Sequence, residues 1–575
     1  MRTRLKLLSA LGLWLLGLAA CVPATPTGTP TSPPQPTVII STPTPAPAQP
    51  TLTVRPPGEK VTLYAGYLGK PDTLNPAFAV SDESYMVFDL VYSSLTKEGP
   101  DGEYVGDLAR EWRHSVDGLI WTFVLKNGIR WHDGGAFQAS DMAWSINAVI
   151  DRPDLWASMA SYTQGFKRAR ALDERTLEIR LSQPVSNMEY RLSFLFALPR
   201  RVFENYSEVE TFKQFNNERP IGTSAFKLNS FDLASGALVL DANADFYDGR
   251  PSIDRVSFRR YASPEEMLQG LQNGEIDMIT DLPFPLFDAA RRLERVRIMR
   301  SSGRSLSDLI INSAPAAREP APNRNPALLD PQVRLAMAHA INKQELVSVV
   351  LQGLGRPGTT VIPPTLGGNY WHNTEIEDVP FDLQKARRVL EVAGYLTGED
   401  GVRAKGDTRL EMRLEYLSDS PTSPKVAEML VEWFKQIGIK LNVRSETREV
   451  LSARLTPGAD FDLVLWGWTS DPDPDFILNA LTSEQFVEGG WNDSGYSNPE
   501  YDRMYREQQS LLDHEQRRLL VWKMQEVIFK DRPYIVYWYQ DNLQAYRTDR
   551  FMNFLESSAL GLESVYSLRQ VRPVQ

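Results

Sequence analysis

The chain has 575 residues and a formal net charge of −11. That length exceeds what a single growing hydrophobic core supports, so two or more lobes are expected. Hydrophobic residues make up 42% and charged residues 23%, which excludes a polytopic membrane protein and a wholly disordered chain. The acidic balance repels phosphate backbones, so nucleic acid is excluded as a partner.

At the N-terminus Arg2, Arg4 and Lys6 precede an apolar run over 7–20, shorter than the about 20 residues a membrane span needs. The run ends in Leu18-Ala19-Ala20-Cys21, which resembles the lipobox of bacterial lipoproteins. The resemblance implies a signal peptide over 1–20 and a lipid on Cys21, which becomes the first residue after cleavage. Cys21 is the only cysteine, so no disulfide can form within the chain. Residues 22–57 are dominated by Pro, Thr, Ala and Gln and carry no charge until Arg55. Such a stretch cannot bury enough apolar surface to offset ordering, so 21–58 reads as anchor and disordered tether.

From about residue 59 strands and helices alternate. Residues 61–65 read as a strand. Asp117-Gly118 suits a tight hairpin turn, followed by a strand over 121–125 rich in aromatic and β-branched residues. Trp112, Trp121 and Phe123 read as core aromatics. The stretch 333–351 is helical in pattern, 382–390 places apolar side chains at helical spacing before a stop at Gly394, and 462–468 reads as a buried strand running into a loop. The class is mixed α/β.

Several patterns imitate motifs without their context. Gly353-Leu354-Gly355-Arg356-Pro357-Gly358 fits a dinucleotide fingerprint, but it follows a helical stretch and contains proline. Asp471-Pro472-Asp473-Pro474-Asp475 begins like a calcium loop, yet Phe476 stands where glycine is needed and Thr482 where the closing acid belongs. The five histidines are scattered and show no metal-ligand spacing; His132 reads as a satisfied loop histidine. No nucleophile elbow or P-loop occurs. No cofactor, metal or catalytic residue is called for, and a secreted hydrolase lacks a convergent nucleophile and base.

Ordered patterns run from about residue 60 to 550. They include Thr73-Leu74-Asn75-Pro76, Asp107-Leu108-Ala109-Arg110-Glu111-Trp112, Asn127-Gly128-Ile129-Arg130-Trp131-His132-Asp133-Gly134 with Ala139-Ser140-Asp141, and Pro220-Ile221-Gly222-Thr223-Ser224-Ala225-Phe226. Gly274-Glu275-Ile276-Asp277, Ala340-Ile341-Asn342-Lys343 and Gly467-Trp468-Thr469-Ser470-Asp471 follow in order. The series resembles the extracellular solute-binding proteins of the dipeptide, oligopeptide and nickel transport family, family 5. The resemblance implies an α/β, two-lobed periplasmic-binding-protein-like fold (type II, large subclass), with an extra subdomain on the first lobe and a hinged interlobe cleft. Lobe I would comprise 59–92, 219–309 and 540–575, its subdomain 93–218, and lobe II 310–539.

The same resemblance places ligand contacts on Asp471, Gly467, Trp468 and Thr469, with Tyr162 and the rim loop Val80, Ser81 and Asp82. In the family, a loop like 467–471 takes the peptide main chain as an added strand, and its aspartate meets the ligand's α-ammonium. Burying that ammonium without a carboxylate would be very costly. Asp471 before Pro472 also suits a simple turn start. The implied function is a monomeric, non-enzymatic substrate-binding lipoprotein of an ABC importer. It would sit at the outer face of the cytoplasmic membrane through its lipid alone and deliver short peptides to permease subunits served by a separate ATPase. An oligosaccharide, a nickel chelate or another small solute on the same scaffold stays open, as does a sensor-coupled receptor.

Overall fold

The computed structural model describes residues 60–574 except 318–320, 366, 368–369 and 558. Cys21 with its lipobox, and the Pro/Thr-rich stretch read as a tether, lie outside the described residues.

Two strands of unusual length organise the body. Val296–Ile311 has 16 residues and Tyr534–Arg547 has 14, and they pair antiparallel along nearly their whole length. Their register slips between Ser302 and Leu306 and again between Ser307 and Asp308. Bulges of this kind bend and twist the strands that contain them.

Around this pair grows a sheet of eleven strands. On one side stand Leu463–Thr469, Glu411–Leu417 and, at the edge, Lys440–Glu446. On the other stand Met278–Ile279, Thr62–Tyr67, Arg255–Arg260, Leu238–Ala242 and Phe226–Phe231, with the short Gly355–Pro357 strand beside Tyr534–Arg547. The strand expected over 61–65 is Thr62–Tyr67, paired in parallel with Arg255–Arg260.

The sequence explains which face each strand buries. Leu463-Val464-Leu465 is an unbroken apolar run because both faces of the sheet are covered. Leu463 and Leu465 join Leu309, Leu390, Leu430 and Phe434 in one core, while Val464 joins Ile310, Tyr501, Met504 and Val521 in another. A separate core gathers Leu63, Phe88, Phe123, Phe212, Phe226 and Phe258. These cores give the two-lobed α/β architecture, with the long strand pair passing from one lobe to the other.

The first-lobe core is extended by a four-stranded sheet of Ala109–His114, Ile120–Leu125, Thr176–Leu181 and Phe166–Ala171, covered by helix Ala139–Asp151. Gly118 turns its hairpin at φ +67°, and Trp112, Phe123 and Trp121 stack in series at 6.2 Å between ring centres. The helix expected over 382–390 is Leu383–Val392, capped by the Asp382 side chain on the Lys385 amide, with Gly394 left-handed beyond it. The helical pattern over 333–351 resolves into two helices, Pro331–His339 and Lys343–Val350. The break comes where the Asn342 side chain accepts the Glu345 amide and starts the second helix.

Gly222 shows how tightly the chain is threaded. A Cβ there would lie 1.8 Å from the Val91 carbonyl oxygen. His132 holds the same segment, its Nδ1 accepting the Gly222 amide at 3.2 Å and its Nε2 donating to the Ser224 carbonyl at 3.1 Å. Burial pushes this imidazole down to about 4, so it is neutral and structural. Replacing Gly222 with alanine is expected to destabilise the protein by about 3 kcal/mol through overpacking, read as a lower denaturant midpoint at unchanged slope.

Candidate functional site

The strand Leu463–Thr469 carries the residues singled out in the sequence. On its flanks the Asn312 amide donates to Asp462 O and the Ser470 amide to Arg304 O, both at 3.1 Å. These bonds fix the antiparallel row: residues 464, 466 and 468 exchange bonds with Val296–Ile311, and the backbone groups of 463, 465, 467 and 469 point the other way. Glu411–Leu417 takes up only Leu463–Leu465 on that side. The amides and carbonyls of Gly467 and Thr469 therefore lie on an edge that no strand of the described residues pairs.

Gly467 has a reason of its own to be glycine. A Cβ there would sit 2.8 Å from the Leu306 carbonyl oxygen across the ladder. Trp468 is half-buried with its edge against Phe476, which in turn packs on Trp491. Thr469 Oγ1 lies 3.0 Å from Ser305 Oγ on the neighbouring strand.

The three acids that follow diverge. Asp473 is fully buried and ion-paired at both carboxylate oxygens by Arg517, at 2.6 and 2.7 Å, with Asn187 donating at 3.4 Å. Burial works to raise its carboxyl, and Arg517 outweighs it, leaving the group below the usual carboxylate range. Asp475 accepts from Gln508 at 2.7 Å and is raised by burial and by Asp473 beside it. The stretch that imitates a calcium loop thus places its central acid on an arginine.

Asp471 accepts the hydroxyl of Tyr190 at 2.7 Å. Burial raises its carboxyl above the ordinary range, while the Tyr190 hydrogen bond and the Arg304 guanidinium oppose that rise. Tyr190 lies on the short helix Met188–Ser193. Its ring stands edge-on to Phe194 and Tyr162, which stack on each other at 4.7 Å and 5°. Tyr104 packs on Tyr190, and Tyr85 on Phe194. Arg304 is tied by ion pair to Glu98 and donates to the Ala559 carbonyl.

The structure brings Tyr162 to Asp471 by way of Tyr190, on whose ring Tyr162 packs. The Val80–Asp82 loop is joined to it one step further out. Ser158 donates to Ala79 O at 2.8 Å, and Tyr85 lies near the Asp72, Asp82 and Asp471 carboxylates. Val80 is 81% exposed. Ser81 caps helix Asp82–Val91, its hydroxyl accepting the Ser84 amide, and Asp82 is exposed in the first turn. Ser81 and Asp82 therefore have a structural duty in starting that helix.

Tyr85, Tyr104, Tyr190, Phe194 and Arg304 were not singled out in the sequence. The only local trace is the spacing of Tyr190 and Phe194, four residues apart and so on one helical face.

A free strand edge, a half-buried carboxylate and aromatic side chains thus come together in a two-lobed α/β protein. Residues 103–488 match the bacterial extracellular solute-binding proteins, family 5 (middle region), and the chain belongs to that family. Among its relatives, the oligopeptide-binding protein AppA of Bacillus subtilis is 24% identical over 84% of this chain and 87% of its own. The nickel-binding periplasmic protein of Escherichia coli is 26% identical over 74% and 78%. Among solved structures, the ABC transporter substrate-binding protein CtaP of Listeria monocytogenes superposes with a TM-score of 0.78 at 22% identity, covering 90% of this chain and all of that one.

Replacing Tyr190 with phenylalanine keeps the ring packing and removes the donor to Asp471. The Asp471 carboxyl then titrates at higher pH than in the unaltered protein, because the lost bond stabilised the anion; carboxyl carbon NMR over a pH series reads the shift.

Proposed function

We propose that this chain is the receptor of an ABC importer and captures short peptides by their main chain and free amino end. The observation that carries the reading is a half-buried carboxylate, Asp471, at the end of a strand whose outer edge is unpaired at Gly467 and Thr469. An extended peptide completes such an edge by hydrogen bonds that ignore side-chain identity. Its α-ammonium supplies the positive charge that Asp471 has only in part from Arg304. A relative named as oligopeptide-binding supports the ligand class.

Ligand held between the lobes favours the closed form, because only that form contacts it from both sides. The bulged crossing near Ser302–Leu306 supplies the bend between the lobes. The permease reads closure, and a separate ATPase drives transport. Cys21 carries the lipid, and the Pro/Thr-rich stretch keeps the receptor near its permease, raising its local concentration.

Calorimetry tests the ligand reading. Asp471→Ala is expected to weaken binding of free-amine tripeptides by about 10- to 100-fold and to leave N-acetylated ones nearly unchanged. Equal loss for both, or no loss, defeats it, and tight binding of an oligosaccharide or nickel chelate in place of peptide replaces it. Affinity for free-amine peptides needs the ionised Asp471, whose carboxyl is raised by burial. It falls on acidification sooner than an ordinary aspartate would cause, as the carboxylate takes up its proton. Affinities measured from pH 7.5 downwards in parallel for the free and acetylated forms check the sign.

A further inference from the structure

Immediately beside Asp471 lies a cavity of about 170 Å³, one of whose walls is the next residue, Pro472. The rest of the wall is largely aromatic: Tyr85, Tyr92, Tyr104, Phe194 and Phe196. Two of these rings, Tyr104 and Phe194, also pack on Tyr190, the residue that donates to Asp471. A group held at the Asp471 carboxylate therefore stands beside residues that also wall the cavity.

The charged groups in its wall are already matched. Lys97 lies 2.9 Å from Asp89, and Glu98 is ion-paired to Arg304. A cationic or anionic side chain entering here would lose its hydration and find no free counter-charge. One polar group does lack a partner: the Tyr104 hydroxyl is buried and makes no hydrogen bond. A buried hydroxyl left so is costly, and an entering group that supplies a donor or acceptor relieves it.

Size selects further. An apolar cavity of about 150 Å³ accepts one benzene ring. A single six-membered ring fits the present space, and its edges and faces meet rings already set mostly at edge-to-face angles, the arrangement aromatic groups prefer.

We propose that this cavity is a selectivity pocket for the side chain of the ligand's first residue, and that it takes a neutral aromatic one. This rests on the reading of Asp471 as the site of the α-ammonium: the first side chain grows from the same carbon as that ammonium. The protein is then a receptor biased toward peptides beginning with phenylalanine or tyrosine, superimposed on main-chain binding that does not read later residues.

The test is calorimetry on the full protein with Phe-Ala-Ala, Tyr-Ala-Ala, Ala-Ala-Ala and Lys-Ala-Ala. The aromatic pair is expected to bind at least tenfold more tightly than the other two. Leu560 also lines the cavity, and Leu560→Trp fills it. In that variant the aromatic advantage disappears while Ala-Ala-Ala binds as before. Equal affinity for Phe-Ala-Ala and Ala-Ala-Ala in the unaltered protein overturns the proposal, as does an undiminished aromatic preference in a folded Leu560→Trp protein. Should no peptide bind, the peptide reading fails by itself, and the pocket is judged on phenethylamine against butylamine. Preference for phenethylamine supports it, and equal or absent binding overturns it.

Discussion

Everything in the second lobe and much of the first is referred to one antiparallel pair, Val296–Ile311 with Tyr534–Arg547. Because side chains alternate across a strand, each of these strands supplies neighbouring cores with successive residues: Leu309 faces one and Ile310 the other. The slips in register at Ser302–Leu306 and Ser307–Asp308 interrupt that alternation. At such points a strand can change direction without giving up its ladder on either side. Arg304 lies within the first slip, unpaired with Tyr534–Arg547 but still accepting the Ser470 amide, and its guanidinium reaches both Glu98 and the field of Asp471.

The second organising constraint is electrostatic. Three aspartates two residues apart, one buried and two half-buried, each need a partner in the structure. Asp473 takes an arginine, Asp475 an amide and Asp471 a phenol. A neutral phenol or amide compensates a carboxylate less completely than a guanidinium does, so Asp471 and Asp475 remain raised, and of the two Asp471 adjoins Pro472 in the cavity wall. A carboxylate so placed gains most from a further cation, whereas Asp473 has nothing left to accept.

The aromatic residues around Asp471 serve two ends. Tyr162, Tyr190 and Phe194 lock one another by edge and face contacts, which positions the Tyr190 hydroxyl without help from a long side chain. Phe194, with Tyr85 and Tyr104, also lines the cavity beside Pro472. The unpaired Gly467–Thr469 edge and the aromatic cavity are thus distinct surfaces, joined along the chain by Asp471 and Pro472.

Much of this was legible before any coordinates. The unbroken apolar run at 463–465 announced a strand covered on both faces. Asp117-Gly118 announced a hairpin, Asp382 and Gly394 bracketed a helix, and Asp471 at the end of a buried strand announced a carboxylate near the surface of the core. These are local matters, settled by side-chain period, capping and turn chemistry within a few residues. The break at Asn342 was also local but was hidden by a helical pattern that continues across it. What the tertiary structure alone decided is the company Asp471 keeps. Tyr190 is 281 positions away along the chain, and Arg304, Tyr85 and Tyr104 come from separate segments that no spacing rule connects. The resemblance made Gly467 a ligand contact, and the fold gives it a nearer reason to be glycine in the Leu306 carbonyl. Sequence determined the elements and one acid, because those depend on neighbours in the chain. The pocket and the field around that acid depend on neighbours in space.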